Sequence, residues 1–536
     1  MKRSTHHALA VVLSLLAFTS RPAAAQQLVI PGSELDGYLR FLDLRGQAGI
    51  TPLIFRSAST FRSLGFARSD SARPWDAQHV LADTASGAFR VLVPDLHLVY
   101  NSDNPHGAND GALWAGKGIS GAVTGGVEVR MGPVVATVAP TLWWTQNQDF
   151  PLVPVTIAHR SQFAYPYRVG NMQIDWPQRF GPDAFAALDP GQSGIRANFG
   201  WFTTGISSEN MWWGPAAVNP IIMSSTAAGV PHLDLGTGRP VDIGIGHLDA
   251  RMIYGRLAGS AYFDSAGQGG QTRFLVGLAL GYSPSFLPGL TVGTTRVFYK
   301  HWADTVRLTD IFAPLNSVFK LSFGSLTDPT TNDDRDQILS LVARWALPES
   351  GAEFYVEWAR NDYNLNLRDF LLEPDHSRGY TYGFAKRVGD GGRFRLRGEV
   401  TQLGRSATVQ VRATPPFYMH GIVHEGYTQI GQLVGAAIGP GGESEYFGVD
   451  RFGPAGRTGF FIQRVVHNSD VYYEQFAAAE RRAGHDIEVT AGISAFRFFP
   501  AFSAGGQLGV GRELNRNYIV NNDVTNLNLQ ITLTPR

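Results

Sequence analysis

Apolar and polar residues alternate with a period of two in several stretches of the chain. In one of them, Phe394 and Leu396 lie on one face, while two arginines and a glutamate lie on the other. Such a charged face would be costly against a dry core, but it suits a water-filled lumen. The alternation therefore predicts the strands of a β-barrel. It is clearest at residues 274–282, 352–359, 394–401 and 526–533.

Glycine- and proline-rich turns join these strands in pairs, and long polar segments separate the pairs. This alternation is typical of an outer-membrane barrel, whose short turns face the periplasm and whose long loops lie outside the cell. The sequence thus predicts an all-β fold, a transmembrane antiparallel β-barrel of about 18 strands. A soluble sandwich or propeller is the alternative, although it rarely needs such long loops. The long segments are 145–190, 205–240, 301–335, 361–380 and 402–456.

The N-terminus has the layout of a secretory signal peptide. Lys2 and Arg3 give a positive start, an apolar run follows at 8–18, and Ala23–Ala25 offers a small-residue cleavage site. The apolar run is too short for a spanning helix, which needs roughly 20 residues. We therefore expect residues 1–25 to be removed, with an uncleaved anchor as the alternative.

The segment after the predicted cleavage site carries a helical pattern. Ser33 is a suitable N-cap, and apolar residues follow at helical spacing from Leu35 to Leu42. We expect residues 26–85 to form a periplasmic helical segment, either a small subdomain under the barrel or a helix packed across its mouth. Residues 86–536 are expected to form the barrel and its extracellular loops.

The composition argues against several other classes of protein. The chain has 45 basic and 45 acidic side chains, and loss of Lys2, Arg3 and Arg21 leaves a formal charge of −3, so no basic excess favours nucleic-acid binding. It has no cysteine, so an exported chain of this size must rely on packing or closed backbone hydrogen bonding. No long apolar run follows the signal peptide, which argues against transmembrane helices.

Two loops combine tryptophan with asparagine and acidic residues. Sugars present apolar C–H faces and many hydroxyls, so aromatic rings flanked by planar amide and carboxylate groups suit them. The alternative is that the tryptophans and Pro215 pack the loops against the barrel wall or fill its lumen. The candidate ligand-binding residues are Asn109, Asp110, Trp114, Glu209, Asn210, Trp212 and Trp213.

Five motifs follow one another along the chain: NDGALWAGKG at 109–118, PQRFG at 177–181, GQS at 191–193, ENMWWGP at 209–215 and HEGYTQIG at 424–431. Their order resembles that of the capsule assembly Wzi family. The resemblance implies an outer-membrane barrel that binds and anchors capsular or other extracellular polysaccharide. It adds Arg179, His424 and Tyr427 to the candidate ligand-binding residues, although Arg179 could instead form a salt bridge and His424 a structural hydrogen bond.

The resemblance also implies further partners, namely outer-membrane lipid, lipopolysaccharide and the barrel assembly machinery. It implies no cofactor. Two positions depart from the family pattern: Gln429 stands where a histidine is expected, and the chain ends on Leu533–Arg536 instead of on an aromatic residue.

Other functions have less support in the sequence. His424 and Glu425 are adjacent without a third ligand at metal spacing, so we predict no metal site. The motifs of serine hydrolases, zinc proteases and nucleotide-binding loops are missing. Acidic clusters at 333–336 and 443–445 are more typical of solvated loops than of the opposed carboxylates of a glycosidase. We expect no enzymatic activity, and a porin or solute channel is the alternative function.

Overall fold

The computed structural model describes residues 25–47, 54–63, 73–75, 78, 88–264, 270–302, 308–315, 335–362, 366–478 and 483–536. Most of the strands among these residues belong to one sheet, whose long strands are antiparallel and which closes on itself. The predicted signal peptide lies outside the described residues except for Ala25, and it stays a prediction.

Eighteen strands form the closed ring. Each strand pairs with its neighbours in the chain, and the last pairs with the first through six residue pairs, from Asn528 with Asn101 to Leu533 with Leu96. The third and fourth strands are each interrupted once. The strands are β1 Phe89–Asn101, β2 Gly118–Met131, β3 Val134–Val138 with Thr141–Thr145, β4 Phe185–Asp189 with Gly194–Phe199, β5 Phe202–Ser207, β6 His232–Thr237, β7 Gly246–Leu257, β8 Arg273–Pro284, β9 Leu290–His301, β10 Arg335–Leu347, β11 Ala352–Asn361, β12 Arg378–Val388, β13 Phe394–Gln402, β14 Glu443–Gly453, β15 Gly456–Val466, β16 Ile487–Phe498, β17 Phe502–Leu514 and β18 Val524–Pro535.

The two-residue alternation of the sequence is the alternation between the outside and the lumen. Along β11, Phe354 is 56% exposed and Val356 40% exposed, whereas Glu353 and Glu357 are buried. The apolar side chains therefore face outward and the charged ones face inward, as expected for a barrel in a bilayer. The predicted fold class is confirmed.

Short turns lie at one end of the barrel and long connections at the other. The predicted loop at 402–456 was too long, because β14 begins at Glu443. Glu443 and Glu445 occupy the outward face at the loop end of β14, so the strand starts with polar residues and resembles a loop in sequence. The long connections are 102–117, 146–184, 208–231, 258–272, 302–334, 362–377, 403–442, 467–486 and 515–523.

One helix, α1 (Glu34–Asp43), closes part of the short-turn end. Ser33 is its N-cap, and its side chain accepts from Asp36 N–H. Three ion pairs hold α1 to the inner wall: Arg40 with Glu353, Asp43 with Arg344, and Glu34 with Arg457. The helix is thus packed across the barrel mouth. Residues 79–87 lie outside the described residues, so the predicted boundary at 85 stays a prediction.

The remaining elements are short. No helix among the described residues is long and apolar enough to span a membrane. Two small two-stranded sheets lie apart from the main sheet: Phe55–Ser57 with Met211–Trp213, and Thr428–Gln429 with Gln432–Leu433. The two-residue strand Ala25–Gln26 pairs in parallel with β1, and Val241–Asp242 pairs with the start of β7. The helical segments are Ala58–Ser63, Leu308–Ile311, Ala313–Leu315, Leu367–Leu372, Asp390–Gly392, Ala407–Gln410, Ser469–Val471, Tyr472–Phe476 and Arg516–Tyr518.

Candidate functional site

Two of the long loops fold inward and fill part of the lumen. Segments 208–231 and 403–442 bring apolar side chains against the inner faces of β7 to β11, and we call this cluster the plug core. Its members are buried, so the loops are packed as tightly as a soluble protein's interior. From the loops it includes Trp213, Ile221, Met223, Tyr418, Tyr427 and Leu433, and from the strands Ile253, Leu275, Ala279, Val297 and Ile338.

Trp213 lies at the centre of the plug core. The segment Met211–Trp213 pairs with Phe55–Ser57 of the N-terminal region, which draws the loop inward. The Trp213 ring is 1% exposed and meets Phe55 edge-on, with 6.3 Å between ring centroids. It also packs over Gly277 of β8, where a Cβ would lie 3.0 Å from an indole carbon. This indole therefore contacts protein on all sides.

Trp212 is also buried, and the turn after it is tight. Its Nε1 donates to Ala216 O at 3.0 Å, and the Arg56 guanidinium lies 4.9 Å from its ring centroid. Gly214 takes a φ of +121° beside Glu357, where a side chain would collide with the carboxylate. The WWGP motif is thus a turn that fits inside the barrel.

Glu209 and Asn210 tie the start of this loop to other segments. Glu209 accepts from Ser59 N and Oγ at 2.9 and 2.6 Å and pairs with Arg196 at 3.1 Å. Asn210 Oδ1 accepts from Gln192 Nε2 at 2.8 Å. Both residues are buried, and these contacts fix the loop before it enters the plug core.

A cavity of about 500 Å³ lies in the lumen beside β12 to β18, β1 and β2, and its wall carries both polar and apolar side chains. Four predicted ligand-binding residues lie on its wall: Asn109, Asp110, Asn210 and Trp212. The wall of the cavity is rich in hydroxyl and amide groups, unlike the plug core. These include Tyr446, Gln463, Gln507, Asn528, Gln530 and Thr532.

The NDG turn brings Asp110 to this cavity. Asn109 and Gly111 take φ values of +62° and +65°, a conformation that asparagine and glycine adopt most readily. Asp110 Oδ1 lies 3.0 Å from His97 Nε2, whereas its Oδ2 has no hydrogen-bond partner among the residues that the structure describes. The turn therefore places Asp110 on the cavity wall, while its Oδ2 packs against Gly107 of the same loop.

Three arginines converge on one carboxylate at the short-turn end of the cavity. Asp450 lies 2.9 Å from Arg395, 2.9 Å from Arg397 and 2.7 Å from Arg457. Arg457 also pairs with Glu34 of α1. This network links β13, β14 and β15 to the helix, so it holds α1 in the barrel mouth.

Trp114 connects two of the long loops, and Arg179 makes contacts within one of them. Trp114 Nε1 donates to Asn147 Oδ1 at 3.3 Å, and its ring lies 4.5 Å from that of Phe180. Arg179 donates to Asn147 O at 2.7 Å and forms an ion pair with Asp149. Both side chains are therefore engaged in contacts that stabilise the loop layer.

The HEGYT segment also turns inward at its centre. Tyr427 is fully buried in the plug core, where its ring lies 5.4 Å from Tyr299 and 6.0 Å from Tyr418. Gln429, at the position where a histidine was expected, accepts from Ala258 N at 2.8 Å. Its amide therefore fixes one loop to another.

Glu425 is a buried anchor in the same segment. Its carboxylate accepts from Gln271 N at 2.7 Å and lies 2.9 Å from His301 Nε2. Burial alone would raise the pKa of Glu425, but these hydrogen bonds and the charge of Arg273 outweigh burial and lower the pKa to about 2. Glu425 is therefore ionised at neutral pH.

A set of half-exposed or exposed polar side chains lies at the outer end of two loops, and we call it the outer patch. Backbone hydrogen bonds of 3.2 Å in both directions join Gln173 to His420. Arg160 donates from Nε to Gln173 Oε1 at 2.8 Å and stacks 3.8 Å from the ring centroid of Phe263. Its five members are Arg160, Asn171, Gln173, His420 and His424.

His424 is the one predicted ligand-binding residue in the outer patch. Its Nε2 lies 2.8 Å from Gly421 O, and partial burial lowers its pKa. Sequence reasoning missed the other four members, because they are single polar residues in two loops that are far apart in the chain. The contact from Asn171 to Gly421 spans 250 positions, and no local motif marks it.

This arrangement defines an outer-membrane β-barrel protein whose extracellular loops fill part of its lumen. The family model of the capsule assembly protein Wzi matches residues 197–493, more than half of the chain. The chain belongs to the capsule assembly protein Wzi family. No curated protein matches it.

The chain is similar to several solved structures at low sequence identity. The chain is similar to Wzi of Escherichia coli, an outer membrane protein involved in group 1 capsule assembly and a carbohydrate-binding β-barrel, with a TM-score of 0.60 and 12% identity over 94% of this chain and 99% of that chain. A BenF-like porin from Pseudomonas fluorescens gives a TM-score of 0.40 and 10% identity over 83% of this chain and 98% of that chain. OccK8 (OprE) of Pseudomonas aeruginosa gives a TM-score of 0.39 and 11% identity over 83% of this chain and 98% of that chain.

Proposed function

We propose that this chain is a non-enzymatic outer-membrane protein that binds capsular or extracellular polysaccharide and holds it at the cell surface. The observation that supports this most is the plug core, because it fixes two long loops from inside. A surface that is ordered before binding loses less conformational entropy when it captures a flexible polymer. Membership of a capsule assembly family and the carbohydrate binding of the E. coli relative support the same function.

The outer patch is our candidate contact region for the polymer. It offers a guanidinium, two amides and two imidazoles at the extracellular end, and such planar polar groups suit sugar hydroxyls. Ile422, which is 52% exposed, adds an apolar surface beside them. The predicted partners at the membrane, namely lipid, lipopolysaccharide and the barrel assembly machinery, belong to the same proposal.

The carboxylates considered for hydrolysis are engaged elsewhere. Asp336 accepts a hydrogen bond from a tyrosine hydroxyl, and Glu443 accepts from Gln402 Nε2 at 2.8 Å. Glu445 pairs with Arg464 at 2.9 Å, with both side chains partly exposed to the outside. The acidic residues at 333–334 lie outside the described residues. These contacts favour structural roles for the described carboxylates.

A strain that makes the polysaccharide and lacks this gene tests the proposal. We expect less cell-associated and more released polysaccharide, restored by the wild-type gene but not by a variant with Arg160→Ala and Gln173→Ala. The variant Arg464→Ala changes an exposed arginine outside the outer patch, so it should restore retention fully. Equal amounts of folded barrel in the membrane are required for each comparison.

The solute channel is the alternative function, because the cavity half of the lumen is polar. Planar-bilayer recordings of the purified barrel separate the two functions. We expect no large steady conductance, since the plug core occupies the other half of the lumen. Large conductance, together with unchanged polysaccharide retention and slower solute uptake in the deletion strain, would establish the channel instead.

A further inference from the structure

Three side chains with metal-binding groups meet at the long-loop end of neighbouring strands. His467 follows β15, Asp486 precedes β16, and Glu513 lies near the end of β17. One ligand atom from each residue lies within 4.8 Å of the other two. The chain thus brings together one imidazole and two carboxylates from three different strand ends, which no motif in the sequence indicates.

Asp486 has an oxygen that the protein does not satisfy. The residue is 6% exposed, and one carboxylate oxygen, Oδ2, accepts from Asn517 N at 2.8 Å. The other oxygen, Oδ1, has no hydrogen-bond partner within the described part of the chain. A buried acceptor without a partner is unfavourable unless a cation or a proton reaches it. The Glu513 carboxylate, 9% exposed, lies within hydrogen-bonding reach of Asp486, but it can donate a hydrogen bond only when it is protonated.

The charges around the cluster do not balance the carboxylates fully. Glu488 lies 3.3 Å from His106 Nδ1 and 3.7 Å from His467 Nε2. Arg516 approaches Glu513 at 3.7 Å but makes its closer contact, 3.0 Å, with Asp103. The one arginine among these neighbours is therefore shared with a carboxylate outside the cluster.

We propose that His467, Asp486 and Glu513 bind one divalent cation of the Zn²⁺ class. A nitrogen and two carboxylate oxygens are a usual ligand set for zinc, whereas calcium takes six to eight oxygens. Zinc holds such atoms at about 2.1 Å, which puts tetrahedral ligand atoms about 3.4 Å apart, so the three side chains would close in from their present separation of up to 4.8 Å. Glu488 beside the imidazole provides the carboxylate that commonly orients a histidine ligand.

Three protein ligands leave a fourth coordination position for water or an external oxygen. The ion would also join the loop ends at 467–486 and 515–523. Because metal bound to the folded state stabilises it by mass action, zinc should raise the unfolding temperature of the protein.

The test uses the full-length barrel in detergent, stripped with EDTA and then equilibrated with Zn²⁺. We expect about one zinc per chain by elemental analysis, and at least tenfold weaker binding for Asp486→Asn in competition with a chromophoric chelator. The control Glu445→Gln changes an exposed carboxylate that belongs to another contact, and it should bind as the wild type does. Heat-modifiable gel mobility confirms that each barrel is folded.

A second measurement keeps the proposal testable if Asp486→Asn does not fold. Co²⁺ bound to the wild-type protein should give the visible absorption of a low-coordinate nitrogen–oxygen site, and His467→Gln should lose it. The proposal is overturned if the stripped wild type takes up no zinc, if Glu445→Gln loses as much affinity as the cluster variants, or if Ca²⁺ displaces Zn²⁺ at equal concentration.

Discussion

The two halves of the lumen are filled in opposite ways, although the strands around both alternate with the same period. On the β7 to β10 side, the inner faces carry residues such as Leu275 and Ala279, and the plug core packs against them. On the β12 to β18 side, the inner faces carry residues such as Arg395 and Gln530, and a polar cavity remains. The residues that face the lumen thus decide whether a loop or water occupies the space beside each strand.

This difference separates two tasks within one barrel. We call the half of the lumen that contains the plug core the dry half. Burial of apolar side chains there fixes the loops and contributes most of the loops' tertiary stability. We call the half that contains the cavity the wet half. It can tolerate substitutions that the dry half cannot, because water can fill the space that a smaller side chain leaves. Four experiments test this contrast, from the largest expected effect to the smallest.

Trp213→Ala should have the largest effect, because it removes the central ring of the plug core. We expect a loss of about 3–5 kcal/mol in the free energy of unfolding and a higher bilayer conductance. Denaturant titration followed by gel mobility measures the first. Trp201→Ala removes a 66% exposed ring on a short turn and should change stability far less. Equal losses would contradict the assignment of stability to the dry half.

Asp450→Asn tests the wet half at its most charged point. Removing one partner of a buried ion pair costs about 3–5 kcal/mol when the other charge stays dry. Here the cavity lets water reach Arg397 and Arg457, so we expect about 2 kcal/mol, measured by the same titration. A loss greater than that of Trp213→Ala would show that the cavity half is as dry as the plug core.

Two glycines on inner faces give a matched pair. A Cβ on Gly277 would lie 3.0 Å from Ile253 and from Trp213, whereas a Cβ on Gly505 would meet atoms only at 3.5 Å or more. We expect Gly277→Ala to cost about 1–3 kcal/mol by overpacking, and Gly505→Ala to cost less than about 0.5 kcal/mol. Thermal unfolding of both variants in the same detergent measures the difference, which should vanish if the two halves are packed alike.

Acidification should reveal the contribution of Glu425. Its pKa is about 2 in the folded protein and lies above that in the unfolded chain, so its stabilisation is complete above about pH 5 and is lost as pH falls toward 2. Between neutral pH and about pH 4 the loss is about 1 kcal/mol. Glu425→Gln lacks this contribution, so the difference in stability between wild type and variant should shrink over that range. A difference in stability that stays constant between neutral pH and pH 4 would contradict this role of Glu425.

The closed ring could be predicted because the bilayer imposes a local rule on every strand. In β11 and β13 the apolar face must meet lipid, and the alternation is visible within ten residues. The start of β14 was missed for the converse reason. β14 begins beyond the lipid, where Glu443 and Glu445 are solvated on its outward face. The outward face need not be apolar there, so the alternation is lost.

The direction of the loops could not be predicted, because it depends on residues far along the chain. Trp212 and Trp213 stand out in the sequence. A loop tryptophan can turn inward, however, only where the barrel wall leaves room for its ring, as Gly277 does for Trp213. The sequence placed Asn109 and Asp110 in a loop that does reach the cavity. His424 lies on the surface, and its neighbours in the outer patch are assembled by contacts between two loops.

The pairing of β18 with β1 also has a consequence in time. Since β18 is the last strand in the chain, these six residue pairs cannot form until every other strand has been exported. The loops at 208–231 and 403–442 precede β18, so they can enter through a sheet that is still open on one side. Ring closure is therefore the last of the strand pairings to become possible, and it encloses any loop that has entered by then.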